Sequence, residues 1–576
     1  MPVVRCVIVA ALATASLVAQ AGQPALTETT RASGLPRAPE QEAVTFERAE
    51  LSFKVDPARK WLDGDATLTF RADRQVDKLV VDLDRNYTVD LVEVDGTNII
   101  AAGWRNPEGR MTVDLPRPLA TGARATLRIR YAGNPHVANK APWDGGFVWA
   151  TAPTGEPWVA TAVQGEGCDL LWPCIDHPLG EPLQVIQHIS VPTPLVAAGN
   201  GIAEGMEEHS DESGAGWRTY HWRAKQSNTY AIALNIGPYE LLQADYTSRY
   251  GNTIPLRFWH LKGNKAKAEG LFAEFTPMLD FIEDVIGPYP FADEKMGVVE
   301  TPHLGMEHQT INAYGNDHKK SDAGYDWLLQ HEFAHEWFGN QLTHRDWDDF
   351  WLHEGFGSYM QPLYLQWLRG DMEYMAALMT QRAALVNKYP VISGRGLPEN
   401  EVYAAGQGPG NDTYYKGSLT LHTLRGLIGD EAFFRATREL VYGSANPRPG
   451  NFKPRHASTE DFIGIVNRVT GKDYRWFFDG YLRSAALPEL LATRDASGLA
   501  LRWKTAGDTT FPLPVQVRVA DKVVEVAMTG GRGHADLPAG ASYTLDPHSR
   551  VLRELPHIAE FQKDVADRAK AAAKKP

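Results

Sequence analysis

The stretch Trp327-Leu328-Leu329-Gln330-His331-Glu332-Phe333-Ala334-His335, with Trp351-Leu352-His353-Glu354-Gly355-Phe356 downstream, decides how this chain is read. On a helix, positions i and i+4 lie one above the other, so His331 and His335 can address one ion. A carboxylate from a separate segment, Glu354, nineteen residues after His335, completes the two-His-one-Glu shell of a catalytic zinc, with the fourth position left to water. The spacing therefore predicts one Zn2+ per chain, held by His331, His335 and Glu354. Glu332 follows the first ligand by one residue, beside the metal face without being on it. That is the place for a general base that takes a proton from water and returns it to a leaving amine. Leu328, Leu329, Phe333 and Trp337 give apolar cover around the ligands. Asp348 and Asp349 are candidates to accept from a ligand imidazole and so orient it. The pattern reads as a zinc hydrolase.

The ends of the chain are read separately. Arg5 forms a short positive region, Cys6 to Val18 is largely apolar, and Ala19-Gln20-Ala21 has the small-x-small form of a cleavage site. Residues 1–21 are therefore expected to be a signal peptide, and the protein to be exported, periplasmic or secreted. No later segment approaches the length needed to span a bilayer, so no membrane span is expected after cleavage. Of 576 residues, 71 are Asp or Glu and 58 Lys or Arg, a formal net charge of -13. So acidic a chain has no electrostatic footprint for nucleic acid. Beyond the leader only Cys168 and Cys174 remain. They could pair in an oxidising compartment or stay as buried thiols.

Hydrophobic periodicity divides the rest. From about Val44 to Glu240, alternation such as Leu127, Ile129 and Tyr131 against Arg128 and Arg130 predicts strands. From about Thr247 the period becomes helical. Leu271, Phe272, Phe275, Met278, Leu279 and Ile282 share one face of a helix that Pro277 is expected to bend. The glycine-rich interval Pro390 to Asp412 reads as a long loop, of a length commonly functional. After Pro488 alternation returns in Val515, Val517 and Val519, then Val524 and Val526. The expected organisation is an all-β domain at 44–244, a catalytic domain at 245–488, a small β-domain at 489–554 and a charged tail at 555–576.

Several motifs together resemble the gluzincin aminopeptidases of the aminopeptidase N and leukotriene hydrolase family. The metal helix continues as Trp337-Phe338-Gly339-Asn340, and Trp347-x-Asp349-x-Trp351-Leu352-x-Glu354-Gly355-Phe356 is similar to the family's second ligand helix. Leu304-Gly305-Met306-Glu307-His308 resembles its exopeptidase motif, Tyr414-Tyr415-Lys416-Gly417 its Tyr-x-Lys-Gly motif, and Pro173-Cys174-x-Asp176 its Pro-Cys-x-Asp segment. Leu304 stands in place of a glycine, and His308 and His353 in place of asparagines. These departures bear on substrate preference more than on activity.

The resemblance implies a multidomain α+β fold with an N-terminal β-saddle and a thermolysin-like zinc catalytic domain. A small C-terminal β-domain stands where the family's large helical domain would be expected. It implies that Tyr414 is the catalytic tyrosine, a phenol donating to the oxyanion that forms on the peptide carbonyl. It also implies that Gln164, Gly305, Met306 and Glu307 bind the substrate, with Glu307 and Gln164 holding a free amino terminus. The function expected is an exported aminopeptidase acting on peptides. A thermolysin-like endopeptidase would lack Glu307, and a non-catalytic binding module would have lost a ligand or the base. Epoxide opening is disfavoured because Pro409 stands where leukotriene hydrolase carries a tyrosine. Side-chain preference and oligomeric state are written in no motif.

Overall fold

Strand β1 (Val44–Asp56) and strand β2 (Trp61–Ala72) form the hairpin at the centre of an eight-stranded sheet. Ala49, Leu51, Phe53 and Val55 are buried along β1, the period of two expected of a sheet with one face in a core. A smaller sheet contains strand β3 (Pro157–Ala162), which runs directly towards Gln164. In this computed structural model, residues 23–450 and 452–558 are described, together with 560, 563, 564 and 567. The expected signal peptide and most of the expected tail lie outside the described residues.

The chain then builds a five-stranded sheet from β4 (Tyr239–Thr247), β5 (Thr253–Leu261), β6 (Met296–Glu300), β7 (Gly305–Met306) and β8 (Asn312–Tyr314). This differs from the sequence pattern in two ways. The boundary expected at 244/245 falls inside β4, so the chain enters the catalytic sheet at Tyr239. The helical period expected from about Thr247 begins only at α1 (Lys265–Phe272). The cause is burial: Phe258 to Leu261 and all of β6 are covered on both faces, so their strand alternation is erased. Helix α2 (Phe275–Val285) is separate from α1, and Pro277 sits in its first turn, where no helical N–H is lost. Proline is accommodated there, and the break lies at Ala273 and Glu274 instead of being a bend at Pro277.

The catalytic helices are α3 (Trp327–His335), α4 (Trp351–Arg369) and α5 (Asp412–Ile428). The interval 390–412 is a loop interrupted by a short helix, Glu399–Val402. Two three-stranded sheets from Glu489 to Leu545 share the core of the catalytic helices through Leu499, Val515 and Val517. The N-terminal domain's core takes in Val299, Met306, Ile311 and Ala313 of the catalytic sheet. The two domains therefore dock through apolar contact at the strands flanking Glu307. Among the described residues no helix is long and apolar enough to cross a membrane.

Candidate metal centre and substrate cleft

Helix α3 starts at Asp326, whose carboxylate accepts from the Leu328 and Leu329 N–H groups, both at 3.0 Å. That cap satisfies two donors the first turn leaves unpaired. It fixes the helix so that His331 and His335 project together. Their Nε2 atoms are 3.1 Å apart, and Glu354 Oε2, from the first turn of α4, lies 3.4 and 3.5 Å from them. Donors arranged tetrahedrally about 2.05 Å from an ion sit roughly 3.3 Å from one another. The triangle thus has the size that zinc requires. Glu354 Oε2 is buried and makes no hydrogen bond, as befits an atom reserved for a cation. His335 Nδ1 lies 2.9 Å from the Phe338 carbonyl, to which it donates, which leaves Nε2 free to ligate.

Asp348 and Asp349 do not take that orienting role. Asp348 accepts from the Ser393 and Gly394 N–H groups at 2.7 and 2.8 Å. Asp349 accepts from the Thr459 N–H and hydroxyl at 2.9 and 2.7 Å. Both carboxylates pin loops to the turn before α4. A backbone carbonyl of the segment after α3 has the task expected of them.

A cleft of about 360 Å³ opens over the centre, lined among others by Gln164, Gly305, Met306, Glu307, His331, Glu332, Glu354 and Tyr414. The structure therefore brings the predicted site residues together, His335 lying buried behind them. Strand β7 explains Gly305. A Cβ at that position would come within 2.4 Å of Glu332 Oε1. Glycine there lets the Glu332 carboxylate rest against the strand. Burial, reinforced by the Glu307 and Glu354 carboxylates and opposed by His335, pushes Glu332 well above the ordinary carboxylate range. A cation in the centre acts in the opposite direction.

In the cleft lining Glu307 and Gln164 meet across the domain boundary. Glu307 Oε1 accepts from Gln164 Nε2 at 2.6 Å and from the Tyr230 hydroxyl at 2.8 Å. Both donors use the same oxygen, so Glu307 Oε2 and the Gln164 carbonyl oxygen are left for another partner. Also in the lining, Tyr414 stacks over His331 with ring centroids 6.3 Å apart, and its hydroxyl is 2.7 Å from that of Tyr403. Burial, then the neighbouring Glu354 and Tyr403, push Tyr414 well above the usual phenol value, so it keeps its proton.

Tyr230, Tyr403 and the cleft-lining Glu399 were not legible in the sequence. Only the length of the 390–412 loop hinted at the last two. His308 and His353, which depart from the resembled motifs, are buried away from the cleft. Burial and the neighbouring His303 lower His308 to about 3, while His353 Nε2 accepts from the His344 N–H at 3.1 Å. Both are packing positions. Cys168 and Cys174 form a disulfide.

Residues 291–481, which include α3, α4 and α5, match the model described as the Peptidase family M1 domain. This region is similar to the catalytic domain of peptidase family M1. An M1 zinc metallopeptidase from Deinococcus radiodurans, crystallised as a mutant bound to a Tyr-Ser-Ala substrate, is 26% identical with a TM-score of 0.65. The match covers 80% of this chain and 98% of that one. Leukotriene A-4 hydrolase of Xenopus laevis is 24% identical over 56% of this chain and 51% of its own length. Glutamyl aminopeptidase of Rattus norvegicus is 24% identical over 55% of this chain and 33% of its own length. The chain thus spans about half or less of the curated relatives it matches. The similarity to M1 zinc metallopeptidases and the donor triangle agree on one catalytic zinc.

Proposed function

We propose that this protein is an exported zinc aminopeptidase that removes single residues from the free amino termini of peptides. The observation that carries this is the hydrogen-bonded Glu307–Gln164 pair in the lining of the metal cleft. A peptide's terminal ammonium, with a pKa of about 7.7–8.0, is mostly charged at neutral pH. Its removal from water is offset only by an opposing carboxylate at close range. Glu307 Oε2 supplies the charge, and the Gln164 carbonyl oxygen a neutral acceptor. Tyr230 and the Gln164 amide hold the carboxylate in place through Oε1.

Bound zinc would supply a Lewis acid that polarises the scissile carbonyl and makes water more acidic. Glu332 accepts the proton of the attacking water and delivers it to the nitrogen of the departing amine. Tyr414 donates to the oxygen of the carbonyl under attack, where negative charge develops. For it to do so, Tyr403 must be the donor in the hydroxyl pair, its proton pointing at the Tyr414 oxygen.

Export is supported by the leader pattern at residues 1–21 and by the Cys168–Cys174 disulfide, a bond that persists in oxidising compartments. The deciding experiment cleaves one peptide with and without N-acetylation and follows products by mass spectrometry. Stepwise loss of single residues from the free peptide alone is expected. Equal rates on both peptides, or internal cuts first, would make the protein an endopeptidase and remove Glu307 from the site.

A further inference from the structure

Glu307, Glu332, Glu354 and Glu399 line the cleft, and among the described residues no lysine or arginine does. The proposed function uses the first three and leaves Glu399 without a task. Glu399 opens the short helix Glu399–Val402 and is 7% exposed. Its backbone N–H donates to the Ser33 carbonyl at 2.9 Å, and the Leu397 N–H two residues earlier donates to Asp346 Oδ1 at 3.0 Å. Val402, at the end of the same turn, is buried in the N-terminal domain's core. The helix is thus fixed on both sides. The Glu399 carboxylate has no hydrogen bond or ion pair among the described residues, and it faces the cleft.

A buried carboxylate without a counter-charge is unfavourable. Burial, then the carboxylates of Glu166, Asp176 and Glu307, push Glu399 well above its ordinary range. A cation arriving from the cleft relieves that cost. The α-ammonium of a substrate already has Glu307 and Gln164, so a second unpaired carboxylate suits a second cation on the same residue. We propose that Glu399 determines specificity by receiving the ammonium or guanidinium of an amino-terminal lysine or arginine, a role that rests on the aminopeptidase reading above. Trp143, an exposed indole of the cleft wall, and Tyr403 give the aliphatic stem an apolar surface.

The test compares arginyl and citrullinyl aminocoumarins, which are nearly isosteric but differ in charge, on the full-length protein and its Glu399→Gln variant. The wild type should favour the arginyl substrate, and the variant's arginyl-to-citrullinyl ratio of kcat/KM should fall about tenfold or more, the scale of one charge-assisted contact. Each variant serves as its own folding control, because only the ratio is read. An unchanged ratio overturns the role of Glu399 and leaves the aminopeptidase reading standing. If neither aminocoumarin is hydrolysed, that reading fails. Calorimetric titration with arginine amide and citrulline amide then decides Glu399 on binding alone, an equal preference in wild type and variant overturning it.

Discussion

Gly355 of α4 and Gly417 of α5 meet where the two helices cross, and a Cβ at position 417 would come within 2.9 Å of the Gly355 Cα. The contact lets two helix backbones approach without side chains between them. Glu354 precedes one glycine and Tyr414 lies one turn before the other, so the crossing sets how closely the phenol approaches the metal centre. Gly417→Ala should wedge the helices apart, destabilising the protein by about 1–3 kcal/mol as overpacked cores do. Activity should fall further than stability explains. Urea unfolding alongside kcat/KM on a folded sample checks this, and an alanine variant of wild-type stability and rate would deny the crossing its role.

The metal centre and the base separate in a paired experiment. Glu354→Ala should lose zinc, because two imidazoles remain of a three-donor shell. Glu332→Ala should retain a full equivalent and yet lose turnover by roughly 10²–10⁴-fold, the range of general-base catalysis. Elemental analysis and aminocoumarin turnover on both variants give the answer. A full equivalent of zinc in the Glu354→Ala protein would sink the ligand assignment.

Tyr414→Phe removes one donor to the developing oxyanion and should cost on the order of 3 kcal/mol in kcat with substrate binding little changed. Tyr403→Phe should have a smaller effect, since it only frees the Tyr414 hydroxyl from its orienting partner. A Tyr403 variant more damaged than the Tyr414 variant would reverse the two roles.

Glu166 gives a prediction about pH. Its carboxylate is raised from 4.5 to about 7, chiefly by burial, with the Gly145 N–H opposing and Asp144 adding to the rise. Between those values the folded protein holds a proton that the unfolded chain has released. The stability this contributes is therefore full below about pH 4.5 and is lost as pH rises through about 7. Glu166→Gln, neutral throughout, should match the wild type near pH 5 and exceed it by on the order of 1 kcal/mol at pH 8. Denaturant melts at the two pH values measure the difference, and a constant offset would exclude this group.

What the sequence shows of this protein follows from how local each signal is. The three metal donors and Glu332 lie on two short helical stretches, where spacing alone dictates direction. Gln164 and Glu307 were reachable only through resemblance, because their contact joins positions 143 apart in the chain. Tyr230 carries no local mark: it is one tyrosine in a strand-rich region, and only domain docking turns it towards Glu307. The misplaced start of the helical region has a different cause. Strands covered on both faces lose their alternation, so β6 and the Phe258–Leu261 end of β5 do not announce themselves as β.

On the proposed aminopeptidase reading, the bond between Gln164 and Glu307 would make the N-terminal domain a ruler. A groove running across a catalytic domain alone has two open ends and would admit a chain anywhere along its length. On the aminopeptidase reading one end would be shut by a side chain from another domain, which would also complete the stop. On that reading the distance from the stop to the metal would measure out one residue, and cutting length would become a property of how two domains are seated. A change at the interface far from the zinc, among Met306, Ile311 and Ala313, could thus alter where a peptide is cut without touching the residues that cut it.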